Sequence, residues 1–313
     1  GYGRGPAKDK KSAAPRARYE EGEDARADGR YEAAIQSRVL TVGTVDDNAD
    51  PAGYKSALDK LASARHALGI DASAWDWGPH APRHDPRPGA LDVALVIDTT
   101  GSMGDELEYL KVEIRDIAQE IAQEFPGVEQ RWGLVLYRDH GDDYVVRKYK
   151  FGDIHAFVEA LGQQRAAGGG DYPEAMDEAL EASVGMGWKI GDAAARMVFL
   201  VADAPSHNGE GARRFAAAVN QHRAARTAIY GVAASGVSDA AEAQLRLASK
   251  ATGGQYIFLT DHSGVGGHHE APKVEQYKVE TLHEAMTRMI RGELGGDGAR
   301  PLAKPPQAEP VAP

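Results

Sequence analysis

The stretch LDVALVIDTTGSMGDE, residues 91–106, decides how the rest of the chain is interpreted. A run of apolar, strand-forming residues ends at Asp98, and two threonines, a glycine and a serine follow at once. A buried carboxylate without a partner is costly, so Asp98 needs a cation or hydrogen-bond donors nearby. Ser102 followed by Asp105 also fits a helix capping box, which accounts for the hydroxyls but leaves Asp98 unexplained.

The composition limits the kinds of partner that the protein can be expected to bind. Of the 313 residues, 42% are hydrophobic and 27% are charged, and the formal net charge is −11. This charge disfavours a nucleic-acid partner, which requires a basic face, and it suits a cation. The sequence contains no cysteine, so disulfides and cysteine-ligated zinc are excluded. No apolar run approaches the roughly 18 residues of a membrane span. No signal peptide opens the sequence, so export would require a signal that has been removed.

Composition also divides the chain into four parts. Residues 1–18, rich in glycine, proline and lysine, predict a disordered basic arm. Residues 19–89 carry two helical patterns and then a linker with scattered prolines and glycines. Strand and helix patterns alternate over 90–293, and 294–313 form a proline- and alanine-rich tail. Within the second part, LTVGTVDDN (40–48) could cap a sheet edge or serve as a docking motif.

The alternating part predicts one α/β domain. We expect a doubly wound, mostly parallel six-stranded sheet with helices on both faces and one antiparallel edge strand. The predicted strands are 91–97, 131–138, 143–150, 197–202, 227–233 and 255–260. The piece RDHGDD joins the second and third in a hairpin. The first helix carries an apolar stripe of Leu107, Leu110, Ile114, Ile117 and Ile121, and the last carries Val279, Leu282, Met286 and Ile290.

Carboxylates and hydroxyls gather at the edge where these parallel strands end. Thr100 and Ser102 follow Asp98 at spacings of two, Asp203 ends the fourth strand, and Asp171 follows three glycines. Ligands of open parallel sheets bind at this edge. An all-oxygen ligand set suits a hard cation, Mg²⁺ or Mn²⁺. Two alternatives stay open: Asp171 could cap a helix together with the glutamate three residues on, and Asp203 could merely start a helix.

Three further groups of residues have open interpretations. His207 could orient a site carboxylate or merely fill its loop. The RDHGDD turn holds three aspartates that are either solvated or form a negatively charged rim, namely Asp139, Asp142 and Asp143. A glycine-rich loop holds three histidines that could bind a transition metal or simply be exposed, namely His262, His268 and His269.

Three separated motifs resemble the metal-ion-dependent adhesion site of von Willebrand factor A domains. They are D-T-T-G-S at 98–102, G-G-G-D at 168–171 and the strand-terminal Asp203, and the resemblance covers residues 90–293. The stretches YRDHGDDYV, GGGDYPEAMDEAL and FLVADAPSH resemble a bacterial, often exported subgroup of that family. The family thus implies a metal site within an interaction domain.

The resemblance also implies roles for single residues. Thr100 and Ser102 would bind the cation directly, and Asp98 and Asp203 directly or through water. One coordination position would be left for a partner's carboxylate. Most adhesion domains have a threonine where Asp171 stands. A third carboxylate would hold the cation more firmly and reduce its attraction for an acidic side chain from outside.

These observations predict a metal-dependent protein-binding module for adhesion or scaffolding, located outside the cell, at its surface or in the periplasm. A cytoplasmic adaptor of an ATPase complex is the alternative, and a metal-assisted hydrolase is less favoured. No enzyme activity and no catalytic residue are expected, because His207 is the only plausible base and by itself does not make a mechanism. Thr100 stands where phosphatases of the Asp-x-Asp type need a second aspartate, and no G-x-S-x-G or phosphate-binding loop occurs.

Overall fold

The strand that ends in Asp98 lies in the interior of a mixed sheet. The structure, a computed structural model, describes residues 40–75, 80, 82–170, 172–260, 273 and 277–295. All nine residues of Ala90–Asp98 are buried, and this strand pairs in parallel with Glu129–Tyr137 on one side and Ala194–Ala202 on the other. Strand order therefore reverses beside Asp98, at the point where open α/β sheets bind ligands.

The described residues form eight strands and eight α-helices. The strands are β1 Thr41–Val45, β2 Ala90–Asp98, β3 Glu129–Tyr137, β4 Val146–Gly152, β5 Ala194–Ala202, β6 Ala228–Ala233, β7 Tyr256–Leu259 and β8 Lys278–Thr281. The helices are α1 Pro51–Lys60, α2 Ala62–Leu68, α3 Gly104–Glu124, α4 Ile154–Gly162, α5 Met176–Val184, α6 Glu210–Ala224, α7 Asp239–Thr252 and α8 Leu282–Glu293. Helices α3, α4 and α8 cover one face of the sheet, and α1, α2, α5, α6 and α7 contribute to the core on the other. The doubly wound α/β prediction is confirmed.

The sheet is wider than the sequence predicts, with eight strands in the order β4-β3-β2-β5-β6-β7-β1-β8. The predicted hairpin edge is present, because β4 pairs antiparallel with β3. A second antiparallel edge was not predicted: β1 pairs antiparallel with both β7 and β8. Both added strands are short, and their partners are distant in sequence, so local patterns do not indicate them.

The assignment of one residue to the predicted helical stripes is wrong, and the other residues of the stripes are buried as expected. Val279 lies in β8 with 55% of its surface exposed, so it is not part of the last helix. Helix α8 begins at Leu282, because Thr281 and Glu284 form a reciprocal capping box in front of it. The five apolar residues of the α3 stripe are all buried in the core.

The segment 40–48 belongs to the sheet, although its sequence pattern placed it in a helical N-terminal part. Its strand β1 covers the edge of β7, which agrees with the capping alternative. A Cβ on Gly43 would lie 2.2 Å from Cζ of Phe258, so the backbone at Gly43 needs a glycine to approach that ring. Just beyond β1, Asp47 Oδ1 accepts a hydrogen bond of 2.6 Å from the guanidinium of Arg246, which is fully buried on α7.

Several predictions fall outside the described residues. These are the basic arm 1–18, most of the segment before β1, the histidines of the 261–270 loop and the tail after residue 295. Among the helices that the structure describes, none is long and apolar enough to cross a membrane.

Candidate functional site

Asp98 is a fully buried carboxylate with one satisfied oxygen. Its Oδ1 accepts hydrogen bonds from the backbone N–H of Thr100 at 2.8 Å and from the Thr100 hydroxyl at 2.7 Å. Its Oδ2 is buried and has no hydrogen-bond partner among the described residues. Asp98 is thus oriented by its own loop, and one of its oxygens is left for a ligand.

Two hydroxyls connect this carboxylate with the surface. Thr100 is buried and Ser102 is exposed, and their hydroxyl oxygens lie 3.3 Å apart. Helix α3 begins at Gly104, and its N-cap residue, Met103, makes no side-chain capping bond. The capping-box alternative for Ser102 is therefore not what the structure shows.

The glycine loop lies directly against the Asp98 loop. The N–H of Ala167 donates to the Thr99 carbonyl at 3.0 Å, and the N–H of Gly101 donates to the Gly168 carbonyl at 3.1 Å. Gly168 and Gly169 have φ values of 77° and 69°, which favour glycine. The structure thus brings the first two predicted motifs together. Asp171 itself lies outside the described residues, so its role as a ligand stays a prediction.

Asp203, the residue that follows β5, carries the second buried carboxylate of the site. Its Oδ1 is buried without a hydrogen-bond partner among the described residues. Burial raises the pKa of Asp203, although a hydrogen bond from Ser102 opposes this rise. Burial, together with the charge of Asp203, raises the pKa of Asp98 to about 7. Two anions in a dry position repel each other, so a bound cation would relieve both.

Glu174 is a third buried carboxylate, and the sequence did not predict it as a site residue. Helix α5 begins at Met176 with Ala175 as its N-cap, so Glu174 precedes the helix and does not occupy the position that the capping alternative assigns to it. Glu174 is only 4% exposed, and its Oε2 has no hydrogen-bond partner among the described residues. Burial, with the charges of Asp98, Asp139, Asp203 and Asp142, raises its pKa to about 8. The motif G-G-G-D-Y-P-E contains this glutamate, but its spacing from Asp171 matches that of a helix capping box.

The aspartates of the β3–β4 turn have different positions. Asp142 accepts hydrogen bonds from the N–H groups of Gly169 at 3.0 Å and Asp139 at 3.1 Å, so it fixes the glycine loop. Asp139 is buried, and the Nε2 atom of His207 lies 3.0 Å from its Oδ1. Asp143 is the solvated member of the set. His207 therefore contacts a carboxylate at the rim, not Asp98 or Asp203.

The donor set fits a hard cation. Asp98, Asp203, Thr100 and Ser102 offer oxygens at one sheet edge, and in the described part of the chain no basic side chain is among the main causes of the pKa shifts of the two carboxylates. Within the described residues, no three acidic or histidine side chains form a metal site by themselves. The set combines two carboxylates with two hydroxyls, so its identification rests on the unpartnered oxygens and on the hydroxyls between them.

Comparison with known proteins establishes the class. Residues 92–264, more than half of the chain, match the family model of the von Willebrand factor A domain, and the chain belongs to this family. Domains of this family are in general protein-interaction modules.

Individual proteins are similar over shorter stretches. An ariadne-like RING finger protein of Acanthamoeba polyphaga mimivirus is 33% identical over 137 residues, 42% of this chain and 13% of that protein. Von Willebrand factor A domain-containing protein 7 of Mus musculus is 36% identical over 92 residues, 29% of this chain and 10% of that protein. The chain thus spans a small part of these relatives. The crystal structure of BatB from Bacteroides thetaiotaomicron has 13% identity and a TM-score of 0.44, covering 65% of this chain and 98% of that one.

Proposed function

We propose that this chain is a metal-dependent protein-binding module with a Mg²⁺ or Mn²⁺ site at the end of β2. The observation that carries the proposal is the pair of buried carboxylates, Asp98 and Asp203, each with an oxygen that lacks a hydrogen-bond partner in the described part of the chain. Leaving such groups uncompensated is costly, and a divalent cation compensates both.

Each residue has a distinct task at this site. Asp98, Asp203, Thr100 and Ser102 would hold the cation, joined by Asp171 as the sequence predicts. The backbone and hydroxyl of Thr100 hold Asp98 in place, and Ser102 lies at the exposed side of the site. The bound cation would supply positive charge at the surface, where a partner protein could contribute an acidic side chain. Resemblance to often exported proteins supports an extracellular, cell-surface or periplasmic location.

Cation binding should stabilise the fold. Because only the folded chain brings these loops together, metal at about 100 times the dissociation constant should add roughly 2.7 kcal/mol to the free energy of unfolding. Thermal unfolding with Mg²⁺, with Mn²⁺ and with NaCl of equal ionic strength measures this effect. Ser102→Ala should reduce the shift, measured for each protein from its own metal-free melting temperature. A wild-type melting temperature that is unchanged by millimolar metal would contradict the proposal.

The same site is expected to lack hydrolytic activity. Among the described residues, His207 is the base closest to the requirements of a hydrolase, and it contacts Asp139 instead of the two metal-site aspartates. A screen of phosphate and carboxylate esters with Mg²⁺ or Mn²⁺ should therefore return background rates. Turnover that disappears in Ser102→Ala would overturn this prediction and favour an enzyme.

A further inference from the structure

A cavity of about 770 Å³ lies at the opposite end of the sheet from the metal site. Helices α1 and α2, the turn that follows α2 and the last turn of α7 form its walls. Asp46 and Gly253 also line it, just after β1 and just before β7. Strand β7 runs parallel to β6, so its first residue lies at the edge where the parallel strands begin, whereas Asp98 lies at the edge where they end. The cavity is therefore separate from the proposed metal site.

The wall formed by α7 carries a buried lysine. Lys250 is 6% exposed, and its ammonium lies over the ring of Tyr54, 5.5 Å from the ring centre. Among the residues that the structure describes, no carboxylate forms an ion pair with this ammonium. An aromatic face compensates a buried ammonium only in part, so Lys250 can still bind an anion that enters the cavity.

Two further cations line the cavity without a carboxylate partner in the described part of the chain. The guanidinium of Arg65 lies 5.5 Å from the centre of the Trp75 ring, and its Nε is buried with no hydrogen-bond partner among those residues. Lys55, on α1, is exposed and also lines the cavity. Three cations and two aromatic rings thus surround the same space.

The acidic side chains of the cavity do not pair with these cations. The Oδ1 atom of Asp46 accepts hydrogen bonds from the N–H groups of Asn48 at 3.0 Å and Ala49 at 3.1 Å. Its Oδ2 atom accepts one from the side-chain amide of Gln255 at 3.2 Å. Asp59 is exposed and has no ion pair within the described residues. The cavity is therefore a basic site on a chain whose formal net charge is −11.

The segment after the turn holds the end of α7 in place. The Nε2–H of His80 donates to the carbonyl of Lys250 at 2.7 Å. Arg83 donates to the carbonyl of Gly253 at 3.1 Å and pairs with Glu293. Burial, together with nearby cations that include Arg83 and Lys250, lowers the pKa of His80, although its hydrogen bond opposes this. The walls are thus fixed by contacts that do not use the ammonium of Lys250.

We propose that this cavity binds a small aromatic anion, a ring that carries a phosphate or carboxylate group. Lys250 and Arg65 bind the charged group, and the ring packs against Trp75 and Tyr54. The volume suits such a ligand, since small-molecule sites commonly enclose about 300–1,000 Å³. Because α1, α2 and α7 all contribute, the bound anion joins the N-terminal helices to the α/β domain. This site does not depend on the proposed metal site.

Titration calorimetry in EDTA, which keeps the metal site empty, tests the proposal with two probes, adenosine monophosphate and naphthoate. Adenosine and naphthyl methanol supply the same rings without the charge, and inorganic phosphate supplies the charge without a ring. Lys250→Met and Arg65→Met each remove one cation of the cavity and keep most of the side-chain length. Lys148→Met removes an exposed lysine of β4, at the other side of the sheet, and is the matched control.

We expect the wild type to bind at least one of the two anions with a dissociation constant below about 1 mM. Each cavity variant should weaken this binding about tenfold or more, as the loss of a hydrogen bond to a charged group commonly does. The uncharged ring and inorganic phosphate should bind at least about tenfold more weakly than the anion that combines them. Lys148→Met should match the wild type. Tighter binding of adenosine monophosphate would identify the ligand as a nucleotide, and tighter binding of naphthoate as an aromatic acid.

Three results would overturn the proposal. They are a wild type that binds neither anion, cavity variants that keep the wild-type affinity, and an uncharged ring that binds as tightly as its anion. The second would place the anion elsewhere on the protein, and the third would show an apolar pocket without anion recognition. Should Lys250→Met fold poorly by circular dichroism, Arg65→Met, on a different helix, decides the question.

Discussion

Asp98→Asn is expected to stabilise the metal-free protein near neutral pH and, at the same time, to abolish its response to Mg²⁺. Asparagine keeps an oxygen that can accept both hydrogen bonds from Thr100, so the loop should hold its conformation. It removes the charge whose burial beside Asp203 raises the pKa of Asp98 to about 7. A rise of that size corresponds to a cost of about 4 kcal/mol for the ionised form.

The sign of the pH dependence follows from this pKa. The carboxyl has its ordinary pKa of 3.8 in the unfolded chain and a value of about 7 in the metal-free fold. Between these two values the folded chain retains a proton that the unfolded chain has lost, so the fold loses stability as pH rises through this range. Asp98→Asn should flatten this decline. Urea unfolding in EDTA across the range measures the effect.

In the presence of Mg²⁺ the order of stability should reverse, so that the wild type becomes more stable than Asp98→Asn. Cation binding requires the deprotonated carboxylate, so the wild type should bind more tightly as pH rises toward about 8 and should release protons on binding. The Asp98→Asn protein should show no metal-dependent shift at any pH. Asp143→Asn, at the exposed rim, is the control and should behave as wild type. A destabilised metal-free Asp98→Asn protein would show that Asp98 has a structural role instead of a cation-binding one.

The second large effect is expected at Arg246, which joins α7 to the segment after β1. Arg246 is fully buried, and its guanidinium contacts Asp47 at 2.6 Å and Glu242 at 3.4 Å. Arg246→Leu leaves the buried Asp47 without its cation, which should cost about 3–5 kcal/mol of the free energy of unfolding. Urea unfolding measures this loss. As a control, Arg115→Leu, at an exposed pair with Asp116, should change stability by less than about 1 kcal/mol.

A second substitution shows where the cost of Arg246→Leu comes from. Adding Asp47→Leu removes the uncompensated carboxylate, so the double variant should recover roughly half of the loss or more. Recovery should be incomplete, because Glu242 keeps a buried carboxyl without Arg246. If the double variant is less stable than Arg246→Leu alone, Asp47 stabilises the fold by contacts other than this ion pair.

The sequence predicts those parts of the fold that are determined by residues close together in the chain. The apolar run of β2 and the stripe of α3 are visible in the sequence because burial on both faces demands continuous or periodic apolar residues. The strand β1 is not, since TVGTV gains its stability from pairing with Leu259 and Glu280, far along the chain. The spacing of Val279 matches the apolar stripe of the last helix, but the capping box at Thr281 places Val279 in the preceding strand.

The site residues also divide into those that the sequence predicts and one that it does not. Asp98, Thr100 and Ser102 are neighbours in sequence, and Asp203 ends a recognisable strand, so topology alone predicts that they share an edge. Glu174 has no such local sign. Its spacing from Asp171 matches a helix cap, and its place beside Thr100 results from the bridge between its backbone and Ser206. Only the tertiary arrangement shows that Glu174 lies at this edge of the sheet.

The position of β1 between β7 and β8 also affects the order in which the chain folds during synthesis. The side chains of Thr41 and Thr260 form a hydrogen bond across 219 residues of sequence. At about 5–20 residues per second, a ribosome needs on the order of 10–40 s to make that intervening chain. Throughout that interval β1 has neither neighbour, so this edge of the sheet cannot be completed before β7 and β8 have been synthesised. The strand is five residues long and is followed by Asp46 and Asp47, features that keep an unpaired edge from joining other chains.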